Sequence, residues 1–380
     1  WRYTMAKNEN LKSFPIADVP NYKIHGRWDK TQNPIPLFFN GSAIELNVTG
    51  TELWIDLEVD FDAYEPWAAC EINDTLMGRF MLQPGTYSLC LFRNMSPDTV
   101  KNVRFLRELQ AMSDDEGCHI LIHGLKSDGD FLPVADRPYK LEFVGDSITS
   151  GEGTYGAKPD MDWISMYMSC SHTYIPIISK ALNADYQILS QGGWGVYCGW
   201  DNDVRHNIPS RYEKICGLVR GEKNHLLGAD KDYDFNSFRP DAIIVNLGTN
   251  DASAFEQPSW ISPETGRSFK MHMSEDGVYD PEDLQCFQDA VDAFLHLLRK
   301  CNPSSHIVWV YGMLGYELTL AITDAVNAYQ KQTGDHNVAF LQLPDTTDET
   351  IGSRSHPGPK SHARAAQVII EYLKKKLPAK

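Results

Sequence analysis

The stretch Leu-Glu-Phe-Val-Gly-Asp-Ser-Ile-Thr-Ser-Gly, residues 141–151, joins a short apolar run to a polar turn that glycines bound. A run ended in this way is typical of a buried parallel strand whose last residues reach the edge of a sheet. Ser147, in the turn, is therefore a candidate nucleophile. A glycine-rich turn after a strand is more often structural than catalytic, so this prediction depends on the segments that follow.

From Pro138 onward, apolar runs alternate with stretches of helical periodicity. Buried strands are predicted at 141–144, 187–189, 242–247, 307–311 and 338–341. Helices are predicted near 174–182, at 284–298 and after Gly358, where Pro359 suits a first helical turn. The alternation predicts an α/β fold with a doubly wound parallel sheet, in which chemistry lies beyond the carboxyl ends of the strands.

Before Pro138 the chain has the pattern of β-structure. Leu53, Ile55, Leu57 and Val59 alternate with polar residues, and Pro84-Gly85 separates two short runs that we interpret as a hairpin. Many short strands with turns between them predict an all-β domain, a β-sandwich or jelly roll, over residues 1–137. Residues 138–380 form the second domain. The first domain either binds carbohydrate or braces the second, and bracing is the favoured interpretation.

Composition excludes several classes of function. With 51 acidic and 35 basic residues among 380, the formal charge of −16 repels nucleic acid and anionic lipid. No apolar stretch approaches the roughly 18 residues that span a bilayer, so we expect a soluble protein without a membrane partner. The sequence leaves open whether the chain forms a homo-oligomer.

The eight cysteines are scattered and form no Cys-x-x-Cys pair, so we expect reduced thiols and no metal. Together with the absence of a recognisable leader, free thiols favour the cytoplasm, and secretion is the alternative.

A serine hydroxyl needs a base to accept its proton, and His356 is the best-placed histidine. It lies in a loop with Pro357 and Gly358, between the last predicted strand and the last helix. Acyl transfer also needs hydrogen-bond donors for an oxyanion. We assign the backbone amides of Ser147 and Gly193 and the side-chain amide of Asn250, since each follows a predicted strand.

These segments resemble the SGNH subgroup of the GDSL hydrolases. Gly145-Asp146-Ser147 matches the serine block, Gly193 the glycine block, residues 248–251 (Gly-Thr-Asn-Asp) the asparagine block, and His356-Pro357 the histidine block. Over most of its length the chain also looks like carbohydrate esterase family 2. That resemblance implies a jelly-roll domain before an SGNH domain, no cofactor, and removal of acetyl groups from plant polysaccharides.

One position departs from the family pattern. SGNH hydrolases usually have an aspartate three residues before the histidine, and here that residue is Ser353. Some relatives work with a Ser-His dyad whose imidazole is held by a backbone carbonyl, and we favour that arrangement. The alternative is a carboxylate that folds back, from Asp345, Asp348 or Glu349.

Four aromatic residues lie in or near the loops that should surround the pocket: Trp194, Tyr197, Trp200 and Trp260. Of these, Trp194 and Trp260 are our candidates for stacking on a sugar ring. The resulting hypothesis is an acetyl esterase that acts on acetylated xylan, mannan or small acetylated sugars. Two alternatives stay open: a lipid or thioester hydrolase of the same superfamily, and a carbohydrate-binding protein whose catalytic domain is relict.

Overall fold

The computed structural model describes residues 8–380, and its first part contains only strands and one short 3₁₀ turn. The strands before Pro138 are β1 (Lys12–Pro15), β2 (Lys23–His25), β3 (Ile35–Pro36), β4 (Ala43–Val48), β5 (Glu52–Asp60), β6 (Trp67–Ile72), β7 (Thr75–Met81), β8 (Gly85–Arg93), β9 (Lys101–Arg107), β10 (His119–Ser127) and β11 (Phe131–Leu132). They form two antiparallel sheets, one of β1, β3, β5, β8 and β10, the other of β2, β4, β6, β7, β9 and β11.

The two antiparallel sheets enclose one apolar core. Alternate residues of β5, Leu53, Ile55 and Leu57, are fully buried in it, as the period-two pattern predicts. Ile44 on β4 and Phe105 on β9, from the other sheet, belong to the same cluster. This packing holds the two sheets face to face.

The predicted hairpin around Pro84-Gly85 is wrong. Strand β7 pairs with β6, whereas β8 pairs with β5 in the other sheet, so the connection crosses between the two sheets. The true hairpin turns at Asn73 and Asp74, whose φ values of 51° and 60° suit a two-residue turn that follows the twist of the strands. Leu82 is buried at the crossing, which explains why the segment shows a strand-like apolar pattern.

The second part of the chain is an α/β unit, as predicted. Its parallel sheet consists of β12 (Tyr139–Gly145), β13 (Ala184–Ser190), β14 (Ala242–Asn246), β17 (His306–Tyr311) and β18 (Val338–Gln342), in the order β13-β12-β14-β17-β18. A small hairpin of β15 (Trp260–Ile261) and β16 (Ser268–Phe269) lies apart from it. The order reverses beside β12, so the carboxyl end of β12 opens into the crevice where such folds bind ligands.

Helices cover both faces of the parallel sheet. They are α1 (Ser147–Ser150), α2 (Tyr174–Leu182), α3 (Glu222–Leu226), α4 (Thr249–Ala254), α5 (Pro281–Cys301), α6 (Thr319–Thr333) and α7 (Pro359–Lys376). Helices α2 and α7 pack on one face, and α5 and α6 on the other. The doubly wound arrangement is therefore confirmed. In the part of the chain that the structure describes, no helix is both long enough and apolar enough to span a membrane.

A buried arginine joins the two parts of the molecule. Arg27, which follows β2, donates to the Glu142 carboxylate on β12 over 2.9 Å. Its guanidinium lies 4.2 Å from the centre of the Tyr233 ring and 4.8 Å from that of Tyr212. Both charges are buried and paired with each other. Separating the first part of the chain from the second would therefore leave each charge without its partner.

Candidate active site

Ser147 follows strand β12, which ends at Gly145, and is the first residue of α1. Asp146 caps this helix by accepting from the Ile148 amide over 3.0 Å. Gly145 permits the tight turn, since a Cβ there would lie 2.0 Å from Thr149 Oγ1 and 2.9 Å from the Asn246 carbonyl oxygen. The turn holds the Ser147 side chain at the bottom of a cavity, with 6% of the residue exposed.

His356 lies directly against Ser147. Its Nε2 is 3.0 Å from Ser147 Oγ, within hydrogen-bond reach, although the two residues are 209 positions apart. The loop that carries His356 comes between β18 and α7, as the sequence predicts. Gly153 allows this approach, because a Cβ at that position would lie 2.5 Å from the Cβ of His356.

A backbone carbonyl holds the other side of the imidazole. His356 Nδ1 lies 2.9 Å from the Arg354 carbonyl oxygen, so Nδ1 can donate its proton there and leave Nε2 free to accept from Ser147. Of the three carboxylates considered for this task, Asp345 accepts from the Gly315 and Thr346 amides, Asp348 pairs with Lys158, and Glu349 is exposed.

A carboxylate that no sequence motif marks, Glu152, lies close to His356. Glu152 Oε1 accepts from Arg354 Nε over 2.7 Å, and Glu152 Oε2 is 3.8 Å from His356 Nε2. Glu152 is only five residues after Ser147, yet sequence alone does not tell which way its side chain points.

The glycine block lies on the other side of Ser147. Gly193, with φ of 80°, lines the cavity in a conformation that favours glycine. The neighbouring Gly192 amide donates over 2.7 Å to Gln110 Oε1, from the connection that follows β9. Gln110 therefore brings the first part of the chain into contact with the candidate oxyanion site, a role that no motif in the sequence signals.

Asp251 fixes the rest of that loop. Its buried carboxylate accepts from three backbone amides, those of Val196, Tyr197 and Cys198, at 2.7–3.2 Å. Burial raises the pKa of the Asp251 carboxyl to about 6, although the three amides favour its ionised form. Asp251 thus attaches the loop that carries Gly193 to helix α4.

Asn250 joins the serine turn to the glycine block. Its Nδ2 donates over 3.0 Å to the Trp194 carbonyl and over 3.3 Å to Asp146 Oδ2. Burial raises the pKa of the Asp146 carboxyl to about 7. Ser147, Gly193, Asn250 and His356 all line the same cavity, of about 550 Å³, so the four residues assigned from separate motifs are brought together.

The two tryptophans assigned to substrate binding do not line this cavity. Trp194 is buried, with 4% exposed, because its ring stacks on His206. Trp260 lies on β15, where the Arg205 guanidinium covers its ring. The cavity wall instead contains Trp163, Trp200 and Tyr64. Tyr64 comes from the first part of the chain and packs edge-on against Trp163, with ring centres 4.9 Å apart.

Two groups of residues bring histidines and carboxylates together, and the first has the spacing of metal ligands. His25, Glu45 and Asp185 offer ligand atoms within 4.8 Å of one another, but Arg137 pairs with both carboxylates. His119 and His123 on β10 both face Glu58, which also accepts from Lys223 over 2.7 Å. A cationic side chain, Arg137 in the first group and Lys223 in the second, therefore lies beside the carboxylates of each group.

Comparisons with known proteins identify the family and the fold of this chain. Residues 143–364 match the family model described as GDSL-like lipase/acylhydrolase. The chain is similar to the solved structure of an acetyl xylan esterase from the rumen bacterium Butyrivibrio proteoclasticus, with 54% identity, a TM-score of 0.95, and coverage of 96% of this chain and 98% of the other. A family two carbohydrate esterase from Clostridium thermocellum shares the fold, with a TM-score of 0.77 at 21% identity over 94% of this chain and 99% of that one.

Curated relatives are longer than this chain. The cellulase/esterase CelE of Acetivibrio thermocellus is 24% identical over 96% of this chain, which spans 40% of that relative's length. An acetylxylan esterase / glucomannan deacetylase of Cellvibrio japonicus is 30% identical over 64% of this chain and 59% of its own length. The resemblance to SGNH hydrolases and to carbohydrate esterase family 2 is confirmed. The chain belongs to the GDSL-like lipase/acylhydrolase family.

Proposed function

We propose that this protein is an acetyl esterase that removes O-acetyl groups from plant polysaccharides or oligosaccharides such as xylan and mannan. The observation that carries the proposal is the 3.0 Å contact between His356 Nε2 and Ser147 Oγ in an open cavity at the strand ends. The 54% identity to an acetyl xylan esterase, and the similarity to an acetylxylan esterase / glucomannan deacetylase, support the substrate class.

In the first half of the reaction, Ser147 Oγ attacks the acetyl carbonyl carbon while His356 Nε2 takes the hydroxyl proton. The Arg354 carbonyl, 2.9 Å from Nδ1, keeps the imidazole in the tautomer that can accept at Nε2. The protonated imidazole then gives its proton to the sugar oxygen, which leaves as an alcohol. The enzyme is left acetylated on Ser147.

The tetrahedral intermediate carries a negative oxygen that needs donors fixed in advance. The Ser147 and Gly193 backbone amides and Asn250 Nδ2 are the proposed donors, since all three residues line the cavity. To donate to the oxyanion, Asn250 Nδ2 gives up its longer hydrogen bond, 3.3 Å to Asp146 Oδ2, and keeps the 3.0 Å bond to the Trp194 carbonyl. Gln110 and Asp251 supply no donor themselves. They hold the loop from residue 192 to residue 198 through four backbone amides, which keeps it from rearranging during the reaction.

In the second half, a water takes the place of the sugar. His356 accepts a proton from this water as it attacks the acetyl carbonyl, and the proton then returns to Ser147 Oγ as acetate leaves. Each step moves one proton between oxygen and Nε2, so the cycle needs no cofactor.

Aromatic rings on two sides of Ser147 are suited to hold the sugar. Trp200, which is 49% exposed, covers Gly193, and the pair of Trp163 and Tyr64 lies on the cavity wall. Flat apolar ring faces pack well against the C–H faces of pyranose rings. We therefore assign sugar stacking to Trp163 and Trp200 in place of Trp194 and Trp260.

We also propose that the chain divides into two domains. Residues 1–137 are assigned as a jelly-roll domain and residues 138–380 as the hydrolase domain. The change from antiparallel to parallel pairing between β11 and β12 supports this boundary. Tyr64 and Gln110 give the first domain a share in the active site, in addition to bracing.

Acetate release from acetylated xylan, acetylated glucomannan and p-nitrophenyl acetate tests the function. We expect the wild type to be active and the folded Ser147→Ala and His356→Ala variants to be inactive. Ser253→Ala is a matched control, because Ser253 also lines the cavity but donates to the Thr249 carbonyl. Activity that rises with acyl length would favour the lipid or thioester hydrolase, and glycan binding without acetate release would favour the relict binding protein.

A further inference from the structure

The carboxylate of Glu152 occupies an unusual position beside the proposed catalytic pair. Its side chain is only 8% exposed, yet it lines the cavity that contains Ser147. One oxygen accepts from Arg354 Nε over 2.7 Å, and the other lies 3.8 Å from His356 Nε2. A single carboxylate thus faces both the base and the residue whose carbonyl orients that base.

Arg354 needs such a partner because its backbone conformation is disfavoured. Its φ of 54° and ψ of 30° lie in the left-handed region, which few residues other than glycine adopt. In this conformation its carbonyl points at His356 Nδ1, 2.9 Å away. The ion pair to Glu152 and a hydrogen bond from Arg354 Nη1 to the Met161 carbonyl, 3.0 Å, hold the side chain in place.

We propose that Glu152 is a positioning residue that takes over, from a different place in the chain, both tasks of the aspartate that is missing before His356. It fixes the ring indirectly, by holding Arg354 and hence the carbonyl that accepts from Nδ1. It also sets a negative charge near the imidazolium that forms when Ser147 gives up its proton. This inference rests on the proposed esterase activity.

Three elements bring titratable or charged groups to His356, and their balance favours Glu152 as the controlling charge. Arg354 lies in the same loop and is paired with Glu152. His362, on α7, is buried, and burial lowers its pKa to about 3, so it is neutral when the enzyme works. Asp146, beside Ser147, is buried, and burial raises its pKa to about 7, with a smaller contribution from the Glu152 charge.

The pH dependence of kcat/KM for p-nitrophenyl acetate separates charge from shape. Glu152→Gln keeps an oxygen that can accept from Arg354 but removes the charge, so protonation of the base should be less favourable. We expect the acidic limb of the profile to move to lower pH by roughly 0.5 to 1 unit. Glu152→Ala also releases Arg354, and kcat should fall by roughly 10- to 100-fold.

Arg354→Gln provides an opposite signature. It removes a positive charge and leaves Glu152 unpaired, so the acidic limb should move to higher pH while kcat falls. The exposed Glu349→Gln is the matched control, because it removes a carboxylate from the same loop without contact to His356. If Glu152 had a purely structural role, both substitutions would lower kcat, but they would not shift the acidic limb of the pH profile in opposite directions.

Thermal unfolding of each variant shows which ones are folded. If Glu152→Gln does not fold, the pH profile of Arg354→Gln tests the inference instead. A folded Glu152→Gln whose profile coincides with those of the wild type and Glu349→Gln overturns the inference but leaves the esterase assignment standing. A wild type that releases no acetate overturns the proposed function, and the inference with it.

Discussion

The two sides of Ser147 are built on different principles. The proposed oxyanion side, residues 192–198 with 249–251, is held by buried groups, since the Asp251 carboxylate alone accepts from three backbone amides. The proposed base side, residues 350–358 with Glu152, depends on a left-handed Arg354 and on its ion pair with Glu152. Burial makes the first side rigid and intolerant of change. Electrostatic pairing makes the second sensitive to pH and charge.

The difference matches the chemistry assigned to each side. Donors for an oxyanion work best when they do not have to reorganise, which favours a buried and fully bonded loop. The base must gain and lose a proton in every cycle, so its surroundings have to accept both states. A carbonyl on Nδ1 and a carboxylate near Nε2 meet this need without a buried aspartate. The following predictions test this comparison.

The largest effect is expected where the two sides meet. Ser147→Ala should lower kcat at least about 10⁴-fold, because it removes Oγ, the proposed nucleophile that lies between the two sides. His356→Ala should cost a similar factor, and the double variant should be little worse than either, since the pair acts as one unit. Rates with p-nitrophenyl acetate, corrected for background hydrolysis, provide the measurement. Fully multiplicative losses in the double variant would contradict a shared mechanism.

Asn250→Ala addresses the oxyanion side alone. It removes one donor, and we expect kcat to fall by roughly 10² to 10³ with KM nearly unchanged. The acidic limb of the pH profile should stay in place, in contrast to the variants of Glu152. Steady-state kinetics over a pH series, with a melting curve to verify folding, distinguish the two sides. An unaltered kcat in a folded variant would remove Asn250 from the oxyanion site.

The buried carboxylate of Asp251 predicts an unusual dependence of stability on pH. Its pKa is about 6 in the folded protein, above the unfolded value near 4, so the native state binds this proton more tightly. The carboxyl therefore contributes most stability below about pH 4 and loses it as the pH rises through about 6. Relative to Asp251→Asn, the unfolding free energy of the wild type should decline by about 2 kcal/mol between pH 4 and pH 8.

Urea unfolding at several pH values measures this slope. The exposed Asp324→Asn serves as the control and should leave the slope unchanged. Parallel curves for the wild type and Asp251→Asn would mean that this carboxyl ionises in the folded state as it does in the unfolded chain.

A smaller effect is expected from the first part of the chain. Gln110→Leu leaves the Gly192 amide without its acceptor, and we expect kcat to fall roughly tenfold with little change in KM. Gln110→Glu keeps an oxygen acceptor at the same place and should recover most of the loss. Equal losses in both variants would indicate that Gln110 only fills space.

Much of the α/β unit was predictable because its signals are local. The apolar runs located all five parallel strands, and the serine, asparagine and histidine motifs each follow a strand. Since parallel strands deliver their ends to one edge, the contact between Ser147 and His356 followed from topology. Gly193 was assigned because it follows a predicted strand, and its φ of 80° shows why a glycine suits this turn.

The errors and omissions concern contacts between distant segments. Pro84-Gly85 has the sequence of a hairpin turn, but pairing with β5 and β6 takes its two flanks into different sheets. Trp194 and Trp260 lie in the expected loops, yet ring orientation depends on His206 and Arg205, which periodicity does not reveal. Gln110 and Glu152 carry no motif at all, and only the folded arrangement brings them to the site.

The Arg27 anchor has a consequence for how this architecture can be recombined. Its guanidinium sits among aromatic rings of the partner unit and pairs with Glu142 on the strand that leads to Ser147. A chimaera that joined this sandwich to a different hydrolase would leave a charge without its counterpart, next to the strand that positions the nucleophile. The arginine, the glutamate and the surrounding rings must therefore be exchanged as a set, so the two parts of the chain are interdependent and not interchangeable modules.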